Sequence, residues 1–163
     1  MTRAMRVLAR AAFVVALVIT VTDVRSFAQA ADPFTGTWKL IAAKSTFTPG
    51  PAPKSGSVTF TTAAPGFRVV VEGVGPKDEK TRWEYTGGYD GKDYPLKGNP
   101  DGDFITVRRI NATTVETTIK RAGKAAATNT RTVSADGKTL TVVTKGTNAQ
   151  GQTVHNVQVF EKG

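Results

Sequence analysis

The sequence predicts an all-β protein, a single up-and-down antiparallel β-barrel of about ten strands. Beyond residue 55, turn signals such as Asp90-Gly91, Asp101-Gly102 and Asp136-Gly137 recur about every ten residues. The segments between them are rich in Val, Thr, Ile and aromatic residues, which suit a pleated sheet. Closure into a barrel would leave no exposed strand edge. A two-sheet sandwich with Greek-key connections is the alternative arrangement.

The N-terminal segment, residues 1–30, is predicted to be a cleaved secretory signal peptide. Three arginines lie within its first ten residues, and residues 11–21 (AAFVVALVITV) form an apolar run that is short for a permanent membrane anchor. Ala28-Gln29-Ala30 has the pattern of a cleavage site, so the mature chain is expected to begin at Ala31. An uncleaved N-terminal anchor is the alternative. The prediction places the protein in the periplasm or outside the cell, with no stable membrane anchor after cleavage.

The remaining residues, 31–163, are predicted to form one domain, because their number suits a single core. The chain has no cysteine, which excludes disulfides and a lipid-modified cysteine at the cleavage site. Residues 1–30 hold four arginines and one aspartate, so cleavage lowers the formal net charge from +9 to +6. Basic residues alternate with acidic ones along strands and turns, which favours a solvated surface. We therefore expect no nucleic-acid partner, and a monomer.

Ten strands are predicted, separated by these turns and by one long loop. The loop, residues 44–54 (KSTFTPGPAPK), holds three prolines, which exclude helix and central strand. It is expected to lie on the surface, with a lid over one end of the barrel as one arrangement. In chain order the predicted strands are residues 36–42, 57–62, 67–73, 81–87, 92–96, 103–110, 113–121, 125–134, 139–145 and 153–161. The loop separates the first two, and the turns that precede later strands are Pro65-Gly66, residues 73–76, Asp90-Gly91, Asp101-Gly102, Ala122-Gly123, Asp136-Gly137 and residues 149–151.

The two ends of this strand series resemble known barrel families. Phe34-Thr35-Gly36-Thr37-Trp38-Lys39-Leu40 resembles the opening strand of the fatty-acid-binding proteins, and its Gly36-x-Trp38 core resembles the first-strand motif of the lipocalins. Val157-Gln158-Val159-Phe160-Glu161-Lys162 resembles the closing strand of a fatty-acid-binding protein. Residues 31–163 as a whole resemble the lipocalin-like domains of small exported bacterial proteins, most of which have no assigned function. The resemblance implies a calycin-type barrel that binds a small hydrophobic or amphipathic molecule, with Trp38 in its floor.

The sequence also departs from these families. Fatty-acid-binding proteins insert a helix pair after the first strand, where this chain has the proline loop. Their closing strand typically carries an Arg and a Tyr that bind the ligand carboxylate, and the matching positions here hold Gln158 and Phe160. That pair of ligand contacts is therefore not carried over. Lipocalins often pack a late Arg or Lys across the tryptophan, a partner that the sequence does not identify.

Two arginines are candidates for binding an anionic ligand. Side chains alternate along a strand, so Arg109 shares the face of two apolar residues of its strand, and Arg131 shares the face of Val133. An arginine inside a barrel needs an acidic partner, water or an anionic ligand. We predict that Arg109 and Arg131 contact a carboxylate or phosphate head group. The alternative is that one or both reach the barrel rim or pair with Glu84 or Asp103.

Three further residues are candidate ligand contacts. Trp83 and Tyr85 share one strand face and combine apolar area with a polar tip, which suits a pocket lining and equally suits a core. Gln158 points inward if Phe160 does. The same alternation turns His155 outward, which argues against a haem ligand.

The sequence predicts no catalytic residues, no metal and no cofactor. One histidine and no cysteine do not make an ordinary zinc site, and no serine lies in a Gly-x-Ser-x-Gly motif. The leading hypothesis is therefore a non-catalytic exported barrel that binds a small hydrophobic or amphipathic molecule, with an anionic ligand as one option. The alternative is an envelope structural or protein-interaction module whose barrel interior is filled.

Overall fold

The fold is described by a computed structural model covering residues 31–163, and the predicted signal peptide lies outside the described residues. Ten antiparallel strands account for most of these residues. They are β1 (Gly36–Leu40), β2 (Ser55–Ala63), β3 (Gly66–Val74), β4 (Lys80–Gly87), β5 (Tyr94–Pro95), β6 (Phe104–Arg109), β7 (Thr114–Arg121), β8 (Lys124–Val133), β9 (Thr139–Thr147) and β10 (Thr153–Lys162). A 3₁₀ turn at Ala42–Lys44 is the only helical element in the described part of the chain. Within residues 31–163 no helix has the length and apolarity needed to span a membrane.

The strands form one sheet in which neighbours along the chain are neighbours in space. The order is β4-β3-β2-β1-β10-β9-β8-β7-β6-β5, so the first strand pairs with the last as well as with the second. At the two ends of this order, Glu84 of β4 and Lys97, two residues after β5, exchange a pair of backbone hydrogen bonds, both 2.9 Å long. The prediction of an up-and-down barrel of ten strands is thus confirmed, and the sandwich alternative is wrong. The contact between β4 and β5 is a short seam in an otherwise continuous wall.

One end of the barrel is filled by large apolar side chains and is called here the closed end. It lies where β1 begins and β10 ends, and its buried aromatic residues are Phe34, Trp38, Phe60, Phe67 and Phe160. The rings of Phe34 and Phe60 pack with centroids 5.8 Å apart. Because each fully buried aromatic side chain removes a large apolar area from water, this cluster supplies much of the stability of a chain that has no disulfide.

The Gly-x-Trp motif at the closed end is explained by three contacts of Trp38. Its ring is fully buried, and its Nε1–H donates to the carbonyl oxygen of Phe34 at 2.8 Å. The ammonium of Lys162, its cross-strand partner on β10, lies 5.0 Å from the ring centroid. Gly36 has φ +122°, and a Cβ there would lie 3.1 Å from Cε of Lys162. Lys162 is therefore the cationic partner that the sequence did not identify, and the glycine leaves room for it.

The first part of the proline loop forms part of the wall. β1 ends at Leu40, two residues earlier than predicted. After the 3₁₀ turn the chain returns to β10, where Thr46 exchanges backbone hydrogen bonds of 2.8 and 2.9 Å with Val157. His155 N–H then donates to the Thr48 carbonyl oxygen at 2.9 Å. Residues 46–48 thus continue the β1 side of the wall, and the prolines begin only where this pairing stops, since they have no N–H to donate.

The seam between β4 and β5 depends on a glycine. Gly98 follows Lys97 with φ +78°, and a Cβ there would lie 2.5 Å from the Arg82 carbonyl oxygen of β4. Gly123 has nearly the same φ, +76°, but nothing within 4 Å of its Cβ position. Gly98→Ala is expected to lower the free energy of unfolding by about 2–3 kcal/mol, against about 1 kcal/mol for Gly123→Ala, which carries the backbone strain alone. Urea denaturation of both variants measures the difference, and equal losses would contradict a steric role for the seam.

Candidate ligand cavity

The open end of the barrel, opposite the closed end, contains a cavity of about 250 Å³. Its volume lies just below the ~300 Å³ at which ordinary small-molecule pockets begin. Phe160 forms part of its base, where the packed cluster of the closed end stops. The lining residues are Val58, Val71, Trp83, Asn99, Asp101, Ile119, Asn129, Arg131, Val142, Thr144, Val154, Asn156, Gln158 and Phe160.

The structure brings together four of the five predicted ligand contacts. Trp83, Arg131 and Gln158 line the cavity. Tyr85 is buried beside it and holds Arg131 by a hydrogen bond. Arg109, the fifth, lies at the closed end and does not line the cavity.

Arg131 is buried without an acidic partner. The residue is only 4% exposed to solvent. Nη1 donates to the hydroxyl oxygen of Tyr85 at 2.7 Å, and the guanidinium carbon lies 5.9 Å from the ring centroids of both Tyr85 and Phe60. None of the ion pairs in residues 31–163 includes Arg131. In residues 31–163 every side-chain polar atom that is fully enclosed has a hydrogen-bond partner. The remaining N–H groups of Arg131 have none, so they are not enclosed and open onto the cavity that Arg131 lines.

Arg109 is held by a carboxylate at the closed end. Its Nη2 donates to Asp32 Oδ2 at 2.7 Å, and its guanidinium carbon lies 3.8 Å from the ring centroid of Tyr89. The Tyr89 hydroxyl donates to the same oxygen at 2.6 Å. Burial and this carboxylate raise the pKa of Tyr89 above its usual value. The acidic partner is therefore Asp32, rather than Glu84 or Asp103, and the guanidinium is occupied before any ligand arrives.

Glu84, one of the partners predicted for the arginines, lies in a charge network on the outer face. It accepts from Arg68 at 2.7 Å and from Arg82 at 3.0 Å. Partial burial opposes ionisation, but hydrogen bonds and charge from these two arginines hold the pKa of Glu84 below its usual value. The network ties β3 to β4 and does not reach the cavity.

A row of polar side chains crosses the inner wall of β7 to β10 and is called here the polar belt. Its members are Thr117, Asn129, Thr144 and Asn156, which are successive cross-strand partners. Within it, the Asn129 amide N–H donates to the Thr117 hydroxyl at 2.9 Å. The next row toward the closed end places Arg131, Val142 and Gln158 side by side. Sequence reasoning missed the belt, although polar residues at alternate positions on β8 (Asn129, Arg131) and β10 (Asn156, Gln158) were a signal for it.

The facing wall is apolar. Val58, Val71 and Trp83 are successive partners on β2, β3 and β4, and all three line the cavity. This set is called here the apolar wall. The cavity therefore has one hydrogen-bonding side and one apolar side along its length.

The rim of the cavity is fixed by Arg121. Its Nη2 and Nε donate to the Asp101 carbonyl oxygen at 2.9 and 3.1 Å, and its Nη1 donates to the Asn148 carbonyl oxygen at 3.1 Å. The Asp101 carboxylate accepts from Ala149 N–H at 2.7 Å. The loop before β6 and the hairpin between β9 and β10 are thus joined across the open end, so the rim is a defined opening.

A second depression lies outside this cavity, at the rim of β2, β3 and β4. It measures about 530 Å³ but is open to solvent, and several of its residues point outward, among them Ser57, Glu72 and Arg82. Ligand sites bury most of the ligand surface. The smaller, more enclosed inner cavity is therefore the candidate site.

The polar residues of the cavity lining are one arginine, one aspartate, one threonine and four amide residues, and the others are aliphatic or aromatic. His155, the single histidine, is exposed on the outer face of β10. Within residues 31–163 no group of three or more His, Cys, Asp or Glu side chains is arranged to hold a metal ion.

Comparison with known proteins gives a structural similarity only. No protein-family model matches the chain, and no curated protein matches its sequence. A crystal structure of the zebrafish ileal bile acid-binding protein in complex with cholic acid superposes with a TM-score of 0.46 and 12% identity. The match covers 80% of this chain and 99% of that one. The ten-stranded barrel is established by the strand pairing itself, and a similarity of this size adds no argument about a ligand.

Proposed function

We propose that this protein is a non-catalytic binding protein of the periplasm or the extracellular space that holds a small amphipathic anion inside its barrel. The observation that carries the proposal is the buried guanidinium of Arg131, which has no carboxylate partner among the described residues. Taking an unpaired charge out of water is costly. A carboxylate or phosphate group in the cavity would supply the missing partner.

Each lining residue has a role in this proposal. Arg131 binds the anionic group, and Tyr85 fixes the guanidinium through the 2.7 Å hydrogen bond. Gln158, one strand beyond Val142 in the same row, offers its amide to the same group. Trp83 and the rest of the apolar wall contact the ligand body. Arg109 has no part in the site, because Asp32 occupies it.

Two observations favour ligand binding over an interaction module with a filled interior. The closed end is filled, yet about 250 Å³ remains at the open end. In residues 31–163 the exposed large apolar side chains are Phe104 and Ile110, 40% and 59% exposed. Phe104 begins β6 and Ile110 follows its last residue, so they lie about 20 Å apart at the usual rise per residue. They do not form the continuous apolar patch that a protein partner would cover.

Titration with octanoate tests the proposal. At about a hundredfold excess over Kd, binding is expected to raise Tm by about 10 °C and to change the fluorescence of Trp83. Octanol and octylamine, which share the chain but lack the negative charge, are expected to bind more weakly. In Trp83→Phe the fluorescence change should disappear while the Tm increase remains, because Trp38 is fully buried away from the cavity. Absence of both signals in the wild-type protein would refute the proposal.

Export is tested separately. Expression of the full chain in a Gram-negative bacterium is expected to yield a periplasmic protein whose first residue is Ala31, as determined by N-terminal sequencing. An Ala28→Lys, Ala30→Lys variant should stay uncleaved, since the cleavage site needs small residues at both positions. A wild-type protein that keeps Met1 in the cytoplasm would contradict the proposed location.

A further inference from the structure

The polar belt presents more hydrogen-bonding groups than the head of a simple anion needs. Asn129 uses its N–H on Thr117, and Asn156 uses its oxygen on Thr48 N–H at 2.9 Å. The Asn129 oxygen, the Thr144 hydroxyl and the Asn156 N–H have no protein partner among residues 31–163. Every fully enclosed side-chain polar atom in this part of the chain has a partner, so these three groups are not enclosed. They open onto the cavity that their residues line. They lie one row nearer the rim than Arg131.

The belt faces side chains of opposite character. Across the cavity stands the apolar wall, whose two valines offer no hydrogen bond. A plain alkyl chain lying between the two walls would leave the belt groups without partners, which is unfavourable for buried polar atoms. A body with hydroxyl groups along one edge and an apolar opposite face would match both walls.

The size of the cavity limits the ligand. At about 250 Å³ it is smaller than the ~300 Å³ at which ordinary small-molecule pockets begin. A long alkyl tail would have to leave through the rim, where Asp101 is fixed by Arg121 and Ala149. Both the volume and the rim favour a compact molecule that lies wholly inside.

We infer that the ligand is a compact hydroxylated carboxylate, with an anionic group at Arg131 and hydroxyl groups at the polar belt, rather than a long-chain fatty acid. Small hydroxylated aromatic acids have this chemistry, because hydroxyls on one edge of the ring can point to the belt while the opposite, unsubstituted edge meets the apolar wall. The inference rests on the proposed function, since it places the carboxylate at Arg131. It adds the belt as the group that sets specificity.

Calorimetric titration with four carboxylates tests the inference: caffeate, its non-hydroxylated counterpart cinnamate, octanoate and palmitate. Caffeate is expected to bind at least about fivefold more tightly than cinnamate, the equivalent of one net hydrogen bond. Thr144→Val keeps the side-chain shape and removes the belt hydroxyl, so it should reduce the caffeate advantage and leave cinnamate affinity unchanged. Thr130→Val, on the exposed outer face of β8, is the matched control and should change neither affinity.

The outcomes distinguish failure of this inference from failure of the proposed function. Caffeate binding no tighter than cinnamate, an advantage that survives Thr144→Val, or palmitate binding most tightly would overturn the inference. If cinnamate and octanoate still bound through Arg131 in those cases, the proposed function would stand. Failure of all four carboxylates to bind would overturn both.

Discussion

Replacing Arg131 with methionine is expected to remove octanoate binding while leaving the barrel at least as stable as before. Loss of a buried charge pair with a ligand carboxylate should weaken binding by at least about 30-fold. In the free protein, methionine fills a similar volume without a charge to desolvate, which favours the fold. The unpaired hydroxyl of Tyr85 offsets part of that gain. Calorimetric titration measures the affinity, and urea denaturation measures the free energy of unfolding.

Arg109→Met is the matched comparison, because it removes the other inward arginine. Its ion pair with Asp32 and its contact with the Tyr89 ring are lost, so the free energy of unfolding should fall by about 1–2 kcal/mol with octanoate affinity unchanged. Arg108→Gln, on the exposed face of β6, should change neither quantity. The double variant Arg131→Met, Tyr85→Phe removes both hydrogen-bonding partners and should be more stable than Arg131→Met alone. If Arg131→Met destabilised the fold as Arg109→Met does and kept its octanoate affinity, Arg131 would be structural.

Trp38→Ala is expected to have the largest effect on stability of any single substitution considered. It removes a fully buried aromatic side chain and leaves a cavity among Phe34, Phe60 and their neighbours. Such truncations cost about 3–5 kcal/mol, a large share of the stability of a domain of this size. Chemical denaturation should show a midpoint far below that of the wild-type protein, or no folded baseline.

Two milder variants apportion that loss. Trp38→Phe keeps most of the apolar area but removes the N–H that donates to the Phe34 carbonyl oxygen, for an expected cost of about 1–2 kcal/mol. Lys162→Met removes only the ammonium above the ring and should cost about 0.5–1 kcal/mol. Equal stability of Trp38→Ala and Trp38→Phe would contradict the role of the ring in closing this end of the barrel.

The strands could be predicted because local signals specify them. Val, Thr and aromatic segments bounded by Gly and Asp-Gly turns form hairpins between chain neighbours, and ten such strands in succession close into a barrel. The alternation of side chains then placed Arg131, Trp83 and Gln158 correctly on the inner face. Those inferences need only a residue and its immediate neighbours.

What could not be predicted depends on contacts between distant parts of the chain. The partner of Arg109 is Asp32. Asp32 precedes the first strand, so the alternation of side chains along a strand does not predict which way it points. Lys162 meets Trp38 only because β1 and β10 pair in one particular register. The pairing of Thr46 with β10 likewise depends on the path of the chain after β1. The sequence therefore predicted a surface loop at residues that pair with β10 in the barrel wall. Tertiary register determines all three.

Native mass spectrometry of the protein purified from its own host, in parallel with Arg131→Met, tests the proposed anion site most directly. Each protein is measured as isolated and again after addition of octanoate. The wild-type protein is expected to carry a small anionic molecule, or to take up one octanoate, and Arg131→Met to do neither. A wild-type protein that retains no small molecule and takes up no octanoate, or an Arg131→Met variant with the same bound mass, would contradict an anion site inside the barrel.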